Sequence, residues 1–301
     1  MPYAFATTLL WSLSAITARR LVDRMGSTRA NFVRLLVAAL LLAVWALAWG
    51  RGFAGRGMPW FVLSGVVGFG IGDTGLYFAL PRLGSRLSLL MTQCLAAPIG
   101  AVAEWLWLGT TLSCLEILLG AGVIGGVVLA LAPADNLHIP RGQLVPGIGW
   151  GLMAAVGQGL GAVISRRAFG LSLAGGVTID GGTAAFQRIL GGLVFGTAVW
   201  LLLRRSPEGR RGAPVGEVLR HPRLMGMVVA ACLFGPVGGV ACYQWALATA
   251  PSGLVLAIVA LCPVVIVPFS MAIEGDRPQI RSLVGGALAV GCAITLALIV
   301  R

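Results

Sequence analysis

Asp73 is the carboxylate set deepest in an apolar segment of this sequence, within GFGIGDTGLYFAL from Gly68 to Leu80. A carboxylate at the centre of a membrane helix costs roughly 2.5–3.5 kcal/mol on insertion scales. Such a residue exchanges a proton as a coupling group, serves as counter-ion to a substrate ammonium, or closes a salt bridge to Arg34 or Arg188. Those two arginines lie about one turn inside their own apolar runs. A guanidinium so placed clamps a carboxylate or snorkels to the lipid headgroups. A third group is aromatic and amide: Tyr77, Tyr243, Gln244 and Trp245, joined by Gln93, Trp11 and Gln158. Such side chains cradle a small amphipathic solute or simply pack helices.

Other chemistries find no support in the residues. The six cysteines (94, 114, 232, 242, 262 and 292) fall in apolar runs with no CxxC spacing and read as small buried hydrophobes. His138 and His221 stand in loops and form no metal set. No nucleophile–base signature and no phosphate-binding glycine loop is present. The expectation is a non-enzyme without cofactor or metal. Glu104 and Glu116, near the ends of their runs, read as an interfacial pair.

The elements that must position Asp73 are apolar helices. Apolar residues are 58% of the 301 and charged residues 11%, against about 45–50% and 25% in soluble domains, so this is an integral membrane protein. A membrane span needs about 20 apolar residues. Ten runs qualify: Tyr3–Ala18, Ala30–Trp49, Pro59–Leu80, Leu87–Leu108, Leu112–Ala132, Gly147–Ser165, Thr183–Leu203, Leu224–Leu247, Gly253–Ile273 and Ser282–Val300. The first has no basic segment before it and no small-residue cleavage site, and is read as a retained helix. All are expected to be helical, because lipid offers no partner to open backbone groups. A short arginine-bearing turn, Pro81 to Arg86, separates the third from the fourth. The polar stretch Pro133–Pro146 divides the chain, giving repeats at 1–133 and 147–301 around a connector at 134–146.

The two halves repeat. Tyr77, Ala79-Leu80, Ser85 and Pro98 recur as Tyr243, Ala246-Leu247, Ser252 and Pro263. Phe32-x-Arg34 recurs as Phe186-x-Arg188, and Trp11 and Gln158 fall in matching places. The acid is not duplicated: Gly239 stands opposite Asp73. Five spans per half is an odd number, so the second copy starts on the opposite side of the membrane. Inverted repeats of this kind set a site near the midplane, between the halves, with access from either side. The string Gly235-Pro236-Val237-Gly238-Gly239 marks the best place for a broken helix. The other glycine strings read as close helix packing.

The doubled pattern GIGDTGLYFAL…LGSRLSL…P…LG over ten spans resembles the EamA-type branch of the drug/metabolite transporter superfamily. The resemblance covers nearly the whole chain. It implies an all-α fold of two inverted five-helix repeats in the bacterial inner membrane, exporting small metabolites or drugs. Members of that family often carry an LGE motif after the fourth and ninth spans. Here the copies read Leu108-Gly109-Thr110 and Glu274-Gly275-Asp276. The first lacks the acid, and no transport role is assigned to it.

All 22 basic residues are arginine. Fifteen lie in the loops after odd-numbered spans and five on the other side, counting Arg301 and leaving out Arg34 and Arg188. The positive-inside rule then puts the odd loops in the cytoplasm and both termini in the periplasm. The net charge of +12 answers lipid headgroups and not nucleic acid. The expected partners are a small organic solute, protons and the bilayer, with the chain acting as a monomer or homodimer. The leading reading is a proton-coupled exporter, and the alternative is an uncoupled facilitator or exchanger of an anionic metabolite clamped by Arg34 or Arg188. A membrane enzyme or sensor, for which the sequence offers no nucleophile, metal or phosphate motif and no soluble domain, ranks last.

Overall fold

Helix is the sole regular structure among the described residues, as backbone in lipid requires. The structure, a computed structural model, describes residues 2–108, 113–131, 139–206, 212–250, 252–275 and 277–299. Gly109-Thr110, Asp276 and connector residues 134–138 lie outside them, as do the side chains of Glu104 and Glu116. In chain order the helices are α1 (Pro2–Met25), α2 (Ser27–Ala48), α3 (Met58–Gly65), α4 (Asp73–Leu89), α5 (Leu95–Leu108), α6 (Cys114–Leu131) and α7 (Arg141–Ala174). Then come α8 (Gly181–Leu203), α9 (Val215–Arg220), α10 (Pro222–Cys232), α11 (Gly238–Thr249), α12 (Ser252–Val259), α13 (Cys262–Glu274) and α14 (Ile280–Ile299). Residues 141–146, expected in the connector, are the first turns of α7.

Among the described residues, five helical stretches are long and apolar enough to cross a membrane: Ser27–Ala48, Met58–Trp107, Arg141–Ala174, Gly181–Leu203 and Pro222–Thr249. Ile117–Ala130, Cys262–Glu274 and Ile280–Thr295 are shorter apolar helices. At 1.5 Å per residue, Met58–Trp107 would measure about 75 Å if straight, enough for two crossings. Within α4, Gly84 leaves helical geometry, with φ 80° and ψ 168°, a left-handed value that suits glycine. The expected six-residue turn is thus a single glycine, with Pro81 and Arg82 still helical on one side.

α1 is not among the five, because its buried face is polar. Thr7, Thr8, Ser12 and Ser14 are all buried. Thr8 Oγ1 donates to the Ile258 carbonyl at 2.9 Å and Ser12 Oγ to that of Cys262 at 3.3 Å. Those acceptors flank residues 260–261, where α12 ends and α13 begins. Hydroxyls from α1 therefore bond carbonyls beside a break in the neighbouring helix, as the bilayer interior demands. Pro263, expected in mid-helix, sits in the first turn of α13, where its missing N–H does no harm.

The packing is reciprocal between halves. α1 lies against α11 and α13 of the second half, and α7 lies against α3, α4 and α5 of the first. α2 pairs with α8, and α6 with α14. Irregularities recur in step as well. Widened π turns occupy Val66–Gly72 and Leu233–Val237, about 166 residues apart. A third, Leu90–Cys94, matches the break at 260–261. The expected helix break at Gly235-Pro236 is a π turn with Pro236 inside it. Glycines of both halves pack closely: a Cβ on Gly65 would sit 1.6 Å from the Arg188 carbonyl oxygen, and one on Gly157 2.5 Å from the Gly72 Cα.

The two ends of the bundle gather different loops. At one end Arg29 Nη1 donates to the Gly212 carbonyl at 2.7 Å, and Ala213 N to that of Arg24 at 2.8 Å. There too Arg19, Arg82, Arg86, Arg277 and Arg281 border one cavity. At the other end Gln187 Nε2 donates to the carbonyls of Gly52 and Ala54, both at 2.9 Å, and Gly57 N to Ser172 Oγ at 3.1 Å. Described residues after runs 1 and 7, and after 3, 5 and 9, thus gather at one end, and those after runs 2 and 6 at the other. Asp180 caps α8 at this second end. Its carboxylate accepts from Thr183 N at 2.9 Å and from Trp45 Nε1 at 3.0 Å. Partial burial pushes its pKa up, but these bonds outweigh that and hold it below the usual range.

Candidate functional site

The side chains of α1, α2, α4, α7 and α8 converge on one central cavity, closed further by the π turns. It is lined by Trp11, Arg34, Asp73, Tyr77, Gln93, Gln158 and Arg188, together with Ser14, Phe69, Thr92 and Gly235. Its volume is about 60 Å³, room for a few water molecules.

Asp73 opens α4, immediately after the π turn Val66–Gly72. Its Oδ2 accepts from Arg34 Nη2 in a salt bridge. The same Nη2 donates to Asn31 Oδ1 at 3.1 Å, one turn back on α2. The guanidinium also lies over the Tyr77 ring, 4.8 Å from its centroid. Arg34 is therefore held by a carboxylate, an amide and an aromatic face. It does not snorkel: it is 4% exposed.

Arg188 is equally buried, at 4% exposed, yet its surroundings differ. It sits 5.4 Å over the Phe69 ring. Among the described residues it has no salt bridge, and its Nε has no hydrogen-bond partner. Gly68 and Gly161 make the space for it: a Cβ on Gly68 would lie 2.7 Å from Arg188 Nη2, and one on Gly161 3.3 Å from it. The cavity thus holds two guanidinium groups and one carboxylate.

Other polar atoms around the cavity also lack partners among the described residues: Tyr77 Oη, Gln93 Oε1, Gln158 Nε2 and Arg34 Nε. An unsatisfied buried polar group costs about 1–3 kcal/mol, so this cluster asks for water or a solute with complementary hydrogen-bonding groups.

The expected aromatic and amide group does not assemble as one. Trp11, Tyr77, Gln93 and Gln158 line the cavity, whereas Tyr243, Gln244 and Trp245 do not. Tyr243 packs on the Trp11 ring with centroids 4.9 Å apart. Gln244 is fully buried, and neither amide atom is bonded among the described residues. Trp245 stacks on Tyr3 at 5.4 Å and meets Trp45 edge-on at 6.0 Å, beside the Asp180 cap. Consecutive helical residues point about 100° apart, so three in a row cannot face one cavity. Ser14, Phe69 and Gly235 line the cavity beyond the residues expected there. Ser14 is three residues from Trp11 and so on the same helix face, and Gly235 belongs to the glycine–proline string.

Residues 1–132 and 145–298 each match the EamA-like transporter family. A solved structure titled only "Crystal structure of protein" shares the fold, at TM-score 0.65 and 20% identity, covering 99% of this chain and 96% of that one. No curated protein matches the sequence. Because the match spans both halves and almost the whole chain, this multi-pass membrane protein belongs to the EamA-like transporter family.

Proposed function

We propose that the chain is a secondary-active carrier of a small organic solute, an exporter coupled to protons through Asp73 and working by alternating access. In this reading ten spans form two inverted five-helix repeats in the bacterial inner membrane, with the arginine-rich end in the cytoplasm and the termini in the periplasm. The observation that carries it is the Arg34–Asp73 pair sharing one central cavity, between the halves, with Arg188. Protonating Asp73 discharges its pair and frees Arg34 to face a solute. Deprotonation re-forms the pair and withdraws that guanidinium. The small cavity volume is consistent with a closed form, which rocking of one half against the other opens to either side.

Arg188 supports a second reading, an uncoupled exchanger of an anionic metabolite. A buried guanidinium without a carboxylate is costly, and an anionic group on the solute would supply one. Both readings place the solute in the same cavity, and they differ in whether a proton moves.

The test begins with a thermal-shift screen of amino acids, organic acids, polyamines, purines and cationic drugs. The stabilising compound then drives flux in proteoliposomes, parent against Asp73→Asn. Proton coupling predicts that solute-driven proton flux disappears in Asp73→Asn while solute counterflow persists. Equal proton flux in a folded Asp73→Asn protein would end the coupling, and a parent that gives counterflow with no proton movement would establish the exchanger.

A further inference from the structure

The arginine-rich end carries a second site, separate from the central cavity. A cavity of about 800 Å³ opens there. Among the described residues that line it are Arg19, Arg82, Arg86, Arg277 and Arg281, against one carboxylate, Glu274. Glu274 accepts from Ser85 Oγ at 2.7 Å, and Arg19 is paired to Asp23 at 3.6 Å. Arg277 and Arg281 are exposed. A cavity so charged favours an anion with several acceptor oxygens, such as a phosphate.

A second cavity, of about 350 Å³, adjoins it and shares Arg86 and Ser282 with it. Arg86 Nη1 donates to Ser282 Oγ at 2.6 Å, so the shared wall is a bonded pair. Beyond that pair the lining turns apolar: Leu90, Pro263, Val264, Val267, Leu283 and Gly286. Val264 is 50% exposed and Leu283 41%, so the groove opens sideways toward lipid. Gly286 forms part of its floor: a Cβ there would meet only Leu90 Cδ1, at 3.8 Å. A basic pocket continuous with an apolar, bilayer-facing groove has the two-part chemistry of a phospholipid.

The geometry points to a binding site for an anionic phospholipid between α4, α13 and α14. Its phosphate sits on Arg86, Arg277 and Arg281, and an acyl chain lies along Val264, Val267 and Leu283. A free phosphorylated solute shares the headgroup chemistry but leaves the groove empty, so the groove selects the lipid. Arginine clusters at a membrane surface attract the anionic leaflet generally. The groove turns that attraction into a discrete site. This inference does not depend on the transport reading, since lipid binding is measured without flux.

The experiment uses the full chain in detergent, with melting temperature and native mass spectrometry as readouts. The probes are phosphatidylglycerol, phosphatidylcholine with the same acyl chains, and glycerol 3-phosphate. Phosphatidylglycerol should raise the melting temperature by several degrees and stay bound as a one-to-one adduct. The other two should do neither. Arg281→Gln, at an exposed position, and Gly286→Leu, which fills the groove and leaves the charge unchanged, should each remove more than half of that shift. Each variant is read against its own lipid-free melting temperature. Arg166→Gln, which lies outside the cavity, should keep the full shift. Equal stabilisation by phosphatidylcholine, an equal effect of glycerol 3-phosphate, or an undiminished shift in Gly286→Leu would each overturn the site.

Discussion

Arg34 and Arg188 hold matching places in the two halves, and their surroundings differ most at the position of Asp73. Each is buried, and each faces a glycine in the π turn of the opposite half. A Cβ on Gly235 would come 3.1 Å from Arg34 Nη1, as one on Gly68 would come 2.7 Å from Arg188 Nη2. Arg34 then meets Asp73. The equivalent of Asp73 is Gly239, where a Cβ would lie 2.5 Å from the Trp11 ring. Trp11 fills the space that a second acid would need. The framework is two-fold and the charge is not. One half neutralises its arginine internally, and the other leaves a cation for whatever enters the cavity. In the carrier proposed above, the repeated framework serves access from both sides and the broken symmetry serves a single site.

The largest effect should come from treating the two arginines alike. Arg34→Met strands Asp73 as an unpaired buried charge and should cost about 3–5 kcal/mol of stability. Arg188→Met removes a cation that has no carboxylate and should leave stability equal or raised, while abolishing solute binding. Adding Asp73→Asn to Arg34→Met should recover most of the loss. Thermal melting of the four proteins, with solute affinity for those that fold, checks all of this. Equal losses for the two methionine variants would erase the distinction between the halves.

That distinction was only partly legible in the sequence. The doubled pattern and the all-helical membrane class follow from spacing and composition, because apolar run length and repeat offset are one-dimensional signals; the family comes from the resemblance of the motif pattern. Asp73, Arg34, Arg188, Trp11, Tyr77, Gln93 and Gln158 were also visible as polar groups within apolar runs. Which arginine takes Asp73 was not, because the choice depends on where α2 and α8 sit around α4. Trp245 misled for a related reason: its type suited a binding site, but its helix face turns toward Tyr3 and Trp45. In the sequence the run Tyr3–Ala18 reads as a retained span, with no role given to its polar face. Its role appears when Thr8 and Ser12 reach carbonyls beside the 260–261 break, a contact some 250 residues away in sequence.

The glycines offer a finer test of the same comparison. Gly65→Ala drives a Cβ into the Arg188 backbone, which cannot yield, and should cost toward the upper end of the roughly 1–3 kcal/mol typical of overpacking. Gly68→Ala meets only the tip of the Arg188 side chain, which has no carboxylate to leave and can shift. Gly235→Ala meets Ser14 Oγ at 2.7 Å as well as Arg34, and Arg34 is pinned by Asp73. The expected order of destabilisation is Gly65→Ala, then Gly235→Ala, then Gly68→Ala, read from melting temperatures. If Gly68→Ala costs as much as Gly235→Ala, Arg188 is held as firmly as Arg34.

The smallest effect concerns how the two arginine-bearing helices begin. α2 starts after Gly26, at φ 77°, with no side-chain cap. Its counterpart α8 starts after Asp180, whose carboxylate accepts from Thr183 N. The unpaired arginine thus rides on the better-capped helix. Asp180→Ala should cost about 0.5–2 kcal/mol, the usual range for losing a cap. The loss should depend on pH. Because the bonds from Thr183 and Trp45 outweigh partial burial and depress the Asp180 pKa, its contribution is full above the unfolded carboxylate value near 4. It fades as pH falls through the lower folded value. The parent and Asp180→Ala should therefore differ in melting temperature at pH 7 and converge on acidification below about 4. A gap that persists unchanged into strong acid would mean that Asp180 stabilises α8 by packing, and that the two helix starts differ in shape and not in charge.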